Sequence, residues 1–235
     1  MIAHRGEHLS HPENTLAAFQ SAIDSGADFF ELDVRTTADG KLVLMHDSSV
    51  DRMTNGTGEI RAMSFEAVRK LDVGIKLGQQ WAGTRVPTFD EALALARGRI
   101  GVYVDSKSVS ARDAVDALTR NGMVEHAVVY GGARYLGEVA ALEPRLKVMP
   151  EADNPANLRS LADALKLRVA AFDAKDFTDP VIGVARAAGI DIYVDRLWDA
   201  DNPRAWQDAV DRGAAGIQTD HPAELVDYLR AHGYR

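Results

Sequence analysis

Apolar and polar positions along this chain alternate between two periods. From residue 100 onward, short apolar runs are separated by segments whose apolar residues recur every three or four positions. The short runs predict strands at Ile100–Val104, Ala127–Tyr130, Leu146–Met149, Val169–Phe172, Ile190–Val194 and Gly216–Gln218. The segments between and after them predict helices at Ala111–Arg120, Arg134–Leu142, Ala156–Leu165, Asp179–Ala188, Pro203–Arg212 and Pro222–Ala231. Earlier in the chain, Ile2–His4 reads as a short buried strand that breaks into a turn-rich loop. A helix then runs from Thr15 to about Asp24, with Asn14 as its N-cap, Leu16, Phe19 and Ile23 at helical spacing, and Gly26 closing it. Phe29–Val34 is the second strand. A turn at Ala38-Asp39-Gly40 folds it into a hairpin that returns to Met45.

The stretch 48–87 is irregular, with one short helix at Ser64–Leu71, and is expected to be an insertion. A helix at Phe89–Ala96, capped by Thr88, leads back into the regular beat. Eight apolar strands, each followed by a helix apart from the hairpin, require a parallel sheet covered by helices on its outer face. In a single domain spanning 1–235, that count predicts a closed (β/α)8 TIM barrel with a β-hairpin and a short insertion after the second strand. An open doubly wound sheet is the competitor, but no GxGxxG opens any of these helices.

The second strand changes the picture from fold to chemistry. Residues i and i+2 of a strand share a face, so Glu31 and Asp33 converge on one side while Phe30, Leu32 and Val34 take the other. Paired carboxylates are costly unless a cation or a shared proton neutralises them. In a barrel of this kind chemistry gathers at the C-terminal strand ends. Those ends carry His4 and Arg5, Glu31 and Asp33, Asp105 and Lys107, Glu151, Asp173, Asp195 and Asp220, with His46 and Asp47 closing the hairpin.

Composition narrows the function classes. The chain of 235 residues is 46% hydrophobic and 26% charged, ordinary for a globular protein with a sizeable core. A net charge of -8 argues against nucleic acid as the main partner, so an anionic substrate would need a metal or a few placed basic side chains. The absence of cysteine excludes a disulfide framework and thiol chemistry and leaves the compartment open, cytoplasmic or secreted or periplasmic. No apolar run approaches the ~18 residues of a membrane span, so no stable membrane insertion is expected. The first strand begins almost at residue 1, which suggests that upstream residues such as a signal peptide were removed. Nothing in the sequence fixes an oligomeric state.

The segments HRG, PENTLAAFQSAIDSGADFFELDVRTTADGKLVLMHD, DRMTNGTG, VPTFDEAL, YVDSK and GAAGIQTDHP, with Trp198, together resemble the glycerophosphodiester phosphodiesterase family across essentially the whole chain. That resemblance implies a (β/α)8 barrel that hydrolyses a small glycerophosphodiester to sn-glycerol 3-phosphate and an alcohol. It assigns Glu31, Asp33 and the acid after the third strand, here Asp105, to one divalent metal ion. All-oxygen ligands suit Ca2+ or Mg2+. The family more often has Glu in a Glu-x-Lys pattern, so Asp105-Ser106-Lys107 offers a shorter arm and puts the metal preference in question.

His4 and His46 resemble the family's catalytic histidines, one base and one acid, with the assignment between them left open. Arg5 and Lys107 are expected to bind the phosphate. Trp198 is expected either to wall the glycerol subsite or to sit in the core. Asp199 and Asp201 stand where the family more often has Thr and Asn, and predict a more acidic rim suited to a cationic head group such as choline. Two rival readings remain: a lysophospholipase D-type hydrolase acting on lipids, and a non-catalytic phosphodiester-binding barrel.

Overall fold

The computed structural model describes all 235 residues. Eight parallel strands form the ring: β1 (Ile2–Ala3), β2 (Phe29–Thr36), β4 (Gly101–Ser108), β5 (Ala127–Tyr130), β6 (Lys147–Met149), β7 (Val169–Phe172), β8 (Asp191–Arg196) and β9 (Gly216–Thr219). The remaining strand, β3 (Leu42–Leu44), pairs antiparallel with the end of β2 and completes the expected hairpin. β1 lies between β2 and β9, and the ring closes between β6 and β7 at the Glu151–Ala171 bridge. This is a TIM barrel.

The alternation read from the sequence sorts two cores. Ile2, Tyr103, Val128, Met149, Val169 and Ala171 point inward and fill the barrel. Phe30, Leu32, Val34, Val102 and Val104 point outward into the main core, where they meet the helices, with Phe30 stacked on Phe19 at 4.3 Å. The helices are α1 (Leu16–Asp24), α2 (Phe65–Arg69), α3 (Phe89–Ala96), α4 (Ala111–Arg120), α5 (Ala133–Leu142), α6 (Pro155–Leu165), α7 (Asp179–Ala187), α8 (Pro203–Asp211) and α9 (Pro222–Ala231). Thr88 caps α3 in a full capping box with Glu91. The 48–87 stretch has a small core of its own, in which Val50, Ile60, Val68, Val73 and Val86 pack on Val43 and Met45 of the hairpin.

Two expectations are corrected. Asn14 is not the cap of α1; Thr15 is, its hydroxyl accepting from the Ala18 N–H. Asn14 instead adopts a left-handed backbone, φ 57°, which turns its amide inward. β4 also outruns its predicted end at Val104 and continues to Ser108. The apolar run stops there, but the ladder with β2 continues through Asp33–Asp105 and Val34–Ser106. Asp105 and Lys107 are therefore held by a strand rather than a loop.

Candidate active site

Strand parity brings the polar set together. Glu31 and Asp33 of β2 face inward, and Asp105 of β4 is the direct register partner of Asp33. A carboxylate oxygen from each of the three lies within 4.8 Å of the others, so they could hold a metal ion. Burial foremost, and then the charges of Asp33 and Asp105, push the Glu31 carboxyl well above the usual carboxylate range. Burial raises Asp105 as well.

Two cations partly offset this cluster. The Lys107 ammonium lies 2.6 Å from Asp105 and 3.4 Å from Asp33. Burial opposes its charge, but the two carboxylates outweigh that and raise its pKa. Arg5 donates its backbone N–H to Glu31 at 2.8 Å and its guanidinium to Glu13 at 3.2 Å, while its buried Nε has no hydrogen-bond partner. Arg5 has a left-handed backbone, φ 52°, and is followed by Gly6 at φ 80°. Gly6 also has no room for a side chain, because a Cβ there would lie 2.7 Å from the Ala18 carbonyl carbon.

Both histidines reach the same cavity, and each has Nδ1 tied to a carboxylate: His4 to Asp220 at 2.7 Å and His46 to Asp47 at 2.8 Å. Nε2 is thus the nitrogen left for chemistry in each ring. His4 is buried, and burial is the main reason its pKa is lowered, with Asp220 pulling the other way. His46 sits further out. Arg52 bonds both Asp47 and Glu13, and its contact holds the Asp47 carboxyl well below the ordinary range. Arg35, the next inward position on β2 after Asp33, donates to the carbonyls of Met45 and His46 and fixes the hairpin's return. Asn14 does the same for Asp33, donating to its carboxylate at 2.7 Å and accepting its N–H at 3.0 Å.

The cavity these groups enclose is about 160 Å³. Its far wall holds Tyr130, Glu151, Asp173, Asp195 and Gln218, and its lip holds Leu197 and Trp198. Trp198 is 76% exposed, which excludes the core reading. The acidic rim expected from Asp199 and Asp201 is not found. Asp201 is buried under the site and accepts from Trp206 Nε1, Thr219 Oγ1 and the Asp220 N–H, while Asp199 does not line the cavity.

All eight side chains singled out for chemistry, His4, Arg5, Glu31, Asp33, His46, Asp105, Lys107 and Trp198, line this one cavity. Sequence reasoning missed the supporting work of Asn14, Glu13, Arg35, Arg52 and Asp201. Two of them carry a usable signal: Arg35 as the third member of the Glu31, Asp33, Arg35 alternation, and Asn14 as a position that matches the resembled family, where N-capping is the competing explanation. The sequence places Asp220 at a strand end but gives no sign of its partner, His4.

Fold and cavity together define a (β/α)8-barrel enzyme whose C-terminal mouth gathers histidines, bases and a carboxylate cluster. The model of the Glycerophosphoryl diester phosphodiesterase family matches residues 4–224, and the chain belongs to that family. A glycerophosphodiester phosphodiesterase of Caldanaerobacter subterraneus is 31% identical over 245 residues, covering 99% of this chain and 98% of that protein. The crystal structure of a glycerophosphodiester phosphodiesterase from Agrobacterium tumefaciens superposes with a TM-score of 0.85 at 29% identity, over 96% of this chain and 98% of that one. An Oleispira antarctica phosphodiesterase, solved in complex with the product sn-glycerol-3-phosphate, has the same fold at 22% identity. Its TM-score is 0.87, over 97% of this chain and 96% of that one.

Proposed function

We propose that this chain hydrolyses glycerophosphodiesters to sn-glycerol 3-phosphate and an alcohol, assisted by one divalent cation, Ca2+ or Mg2+. The observation that carries the reading is the pair of histidines with carboxylate-held Nδ1 atoms, facing one cavity that also contains the Glu31, Asp33 and Asp105 cluster. Family membership and the names of the relatives support the substrate class.

The donor set fits a hard cation. It is three carboxylates with no nitrogen or sulfur, and burial, reinforced by the neighbouring acids, leaves Glu31 reluctant to ionise without a further positive charge. Such a cation, when bound, supplies Lewis acidity toward a phosphate oxygen. Arg5 and Lys107 stand beside the carboxylates and neutralise the non-bridging oxygens of the phosphate. His4, whose lowered pKa keeps Nε2 free of a proton at neutral pH, accepts the proton of the attacking hydroxyl. His46, on the outer side, gives a proton to the departing alkoxide as its P–O bond breaks. The small, polar cavity suits a glycerophosphodiester better than the acyl chain of a lysolipid.

Chelation followed by add-back tests the reading, with release of glycerol 3-phosphate as the measurement. Activity should vanish with chelator and return with Ca2+ or Mg2+; turnover that survives complete chelation refutes metal dependence. His46→Ala should lose about 10²–10⁴-fold in kcat while still binding the cation.

A further inference from the structure

The Nδ1 edge of His4 meets a second imidazole that the chemistry above does not use. His8 lies in the loop between β1 and α1, between the segments HRG and PENT that carry the family resemblance. Its ring stands edge-on to that of His4, with centroids 5.3 Å apart. Its Nδ1 lies 2.7 Å from the His4 carbonyl oxygen. Its Nε2 lies 3.5 Å from Asp220 Oδ1, the same oxygen that His4 Nδ1 contacts. A carbonyl can only accept, so His8 Nδ1 carries a proton and donates it. In the neutral ring Nε2 is then an acceptor, and it faces a carboxylate oxygen, which is another acceptor. Lone pair facing lone pair calls for a cation between them. A proton alone fits poorly at this separation, since a charge-assisted N–H···O bond closes to about 2.7–2.9 Å.

A metal ion fits the spacing better. Around tetrahedral Zn2+, with bonds of about 2.0–2.1 Å, ligand atoms lie about 3.3 Å apart. His8 Nε2 and Asp220 Oδ1 are already near that separation, and the His4 contact has to open from 2.7 Å to reach it. One ligand atom from each of His4, His8 and Asp220 lies within 4.8 Å of the others. The outer contacts are of the kind that orient metal ligands. His8 holds a carbonyl through Nδ1–H, and the second oxygen of Asp220 accepts the Trp198 N–H at 3.1 Å. Two imidazoles and one carboxylate suit a borderline ion such as Zn2+, unlike the all-oxygen cluster of Glu31, Asp33 and Asp105. Asp220 also lines a side cavity of about 300 Å³ with Glu7, Leu9 and Ser10, which gives the ion a route from outside the active-site cavity.

We propose that His4, His8 and Asp220 form a zinc site that switches the enzyme off. Zn2+ takes the Nδ1 lone pair of His4. The proton leaves Nδ1 for water and another enters at Nε2, so the ring stays neutral while the nitrogen facing the catalytic cavity loses its free lone pair. Inhibition rests on the reading of His4 as the base; binding of the ion does not.

Calorimetric titration with Zn2+ tests the site, on chelator-treated protein supplied with Ca2+ in large excess so that the carboxylate cluster is occupied. The wild-type chain should bind one Zn2+. His8→Asn, whose amide can still donate to the His4 carbonyl but which has no atom at the Nε2 position, should bind it at least about tenfold more weakly. His8→Ala serves the same purpose if the asparagine variant does not fold. Without zinc both variants should turn over substrate at the wild-type rate, and the zinc concentration that halves turnover should rise by the same factor as the dissociation constant.

No Zn2+ uptake in the presence of Ca2+, or an affinity unchanged in both variants, overturns the site. Inhibition relieved in proportion to added Ca2+ also overturns it, because zinc would then sit on the carboxylates. The catalytic reading fails separately. Zn2+ that binds in a His8-dependent way and leaves turnover untouched overturns the switch together with His4 as base. A chain that binds Zn2+ but releases no glycerol 3-phosphate even without it keeps the metal site and loses the hydrolase.

Discussion

Asp220 acts on His4 in two ways, through orientation and through charge. Its hydrogen bond fixes the ring so that Nε2 faces the cavity, and its charge raises a pKa that burial lowers. Asp220→Asn should therefore let burial carry the His4 pKa further down. For His4 in its proposed role as base, which works when unprotonated, the acidic limb of kcat/KM against pH should move to lower pH. The plateau should still fall, by about 10²-fold or more, since an amide can donate to Nδ1 and leave the ring's proton on Nε2, the wrong tautomer for a base. A plateau unchanged by Asp220→Asn would refute the positioning role. Asp195 makes a prediction about stability. Its folded pKa, about 8, lies far above the ordinary ~3.9 of an unfolded chain, so its ionised form destabilises the fold above pH 8 and that cost fades as pH falls toward 4. Asp195→Asn should raise Tm at pH 9 and change it little at pH 5, as thermal melts at the two pH values would show. The residue scale is also where the sequence misled most. Asn14 has the chemistry of a helix cap and stands one position before the helix, yet its left-handed backbone sends the amide to Asp33. Local preference could not reveal that, because the partner lies 19 positions away on another element.

At the scale of elements, the period of two along β2 was sufficient to place Glu31 and Asp33 on one face and Phe30, Leu32 and Val34 on the other. The length of β4 was not, because polar residues ended the apolar signal while backbone pairing with β2 continued. The connection from β1 to α1 joins structure to chemistry most tightly. Gly6 lies against Ala18 of α1, the Glu7 N–H bonds the Ala18 carbonyl at 2.9 Å, and Arg5 just before them reaches Glu31. Gly6→Ala must push the helix away or abandon φ 80°, and should cost roughly 1–3 kcal/mol of stability. Activity should fall with it, because the Arg5 N–H would leave Glu31. Chemical denaturation and a turnover assay on the same variant check both effects; a fully stable, fully active variant would contradict the packing described here.

The whole molecule has a built-in electrostatic imbalance at one end. The net charge is -8, and three carboxylates crowd one side of the mouth. A cation that binds only the folded state should stabilise it by about 2.7 kcal/mol at a concentration of 100 Kd. Added Ca2+ or Mg2+ should accordingly raise Tm in the wild type. In Glu31→Gln the metal-free protein should melt higher than the metal-free wild type, since a repelling buried acid is gone, and should gain little from added cation. Calorimetric scans with and without chelator measure both, and an equal metal-induced shift in the two proteins would remove Glu31 from the cation site. No helix of the chain is long and apolar enough to cross a membrane.

The contact between His4 and Asp220 spans 216 positions of the chain. A ribosome releases the first of these residues long before it makes the second, so a growing chain holds β1 with one edge unpaired until β9 arrives beside it. Docking of β9 closes that edge and orients His4 in the same event. Onset of catalysis during synthesis or refolding would then report completion of the ring, and partly made chains would be inert toward substrate while most prone to self-association.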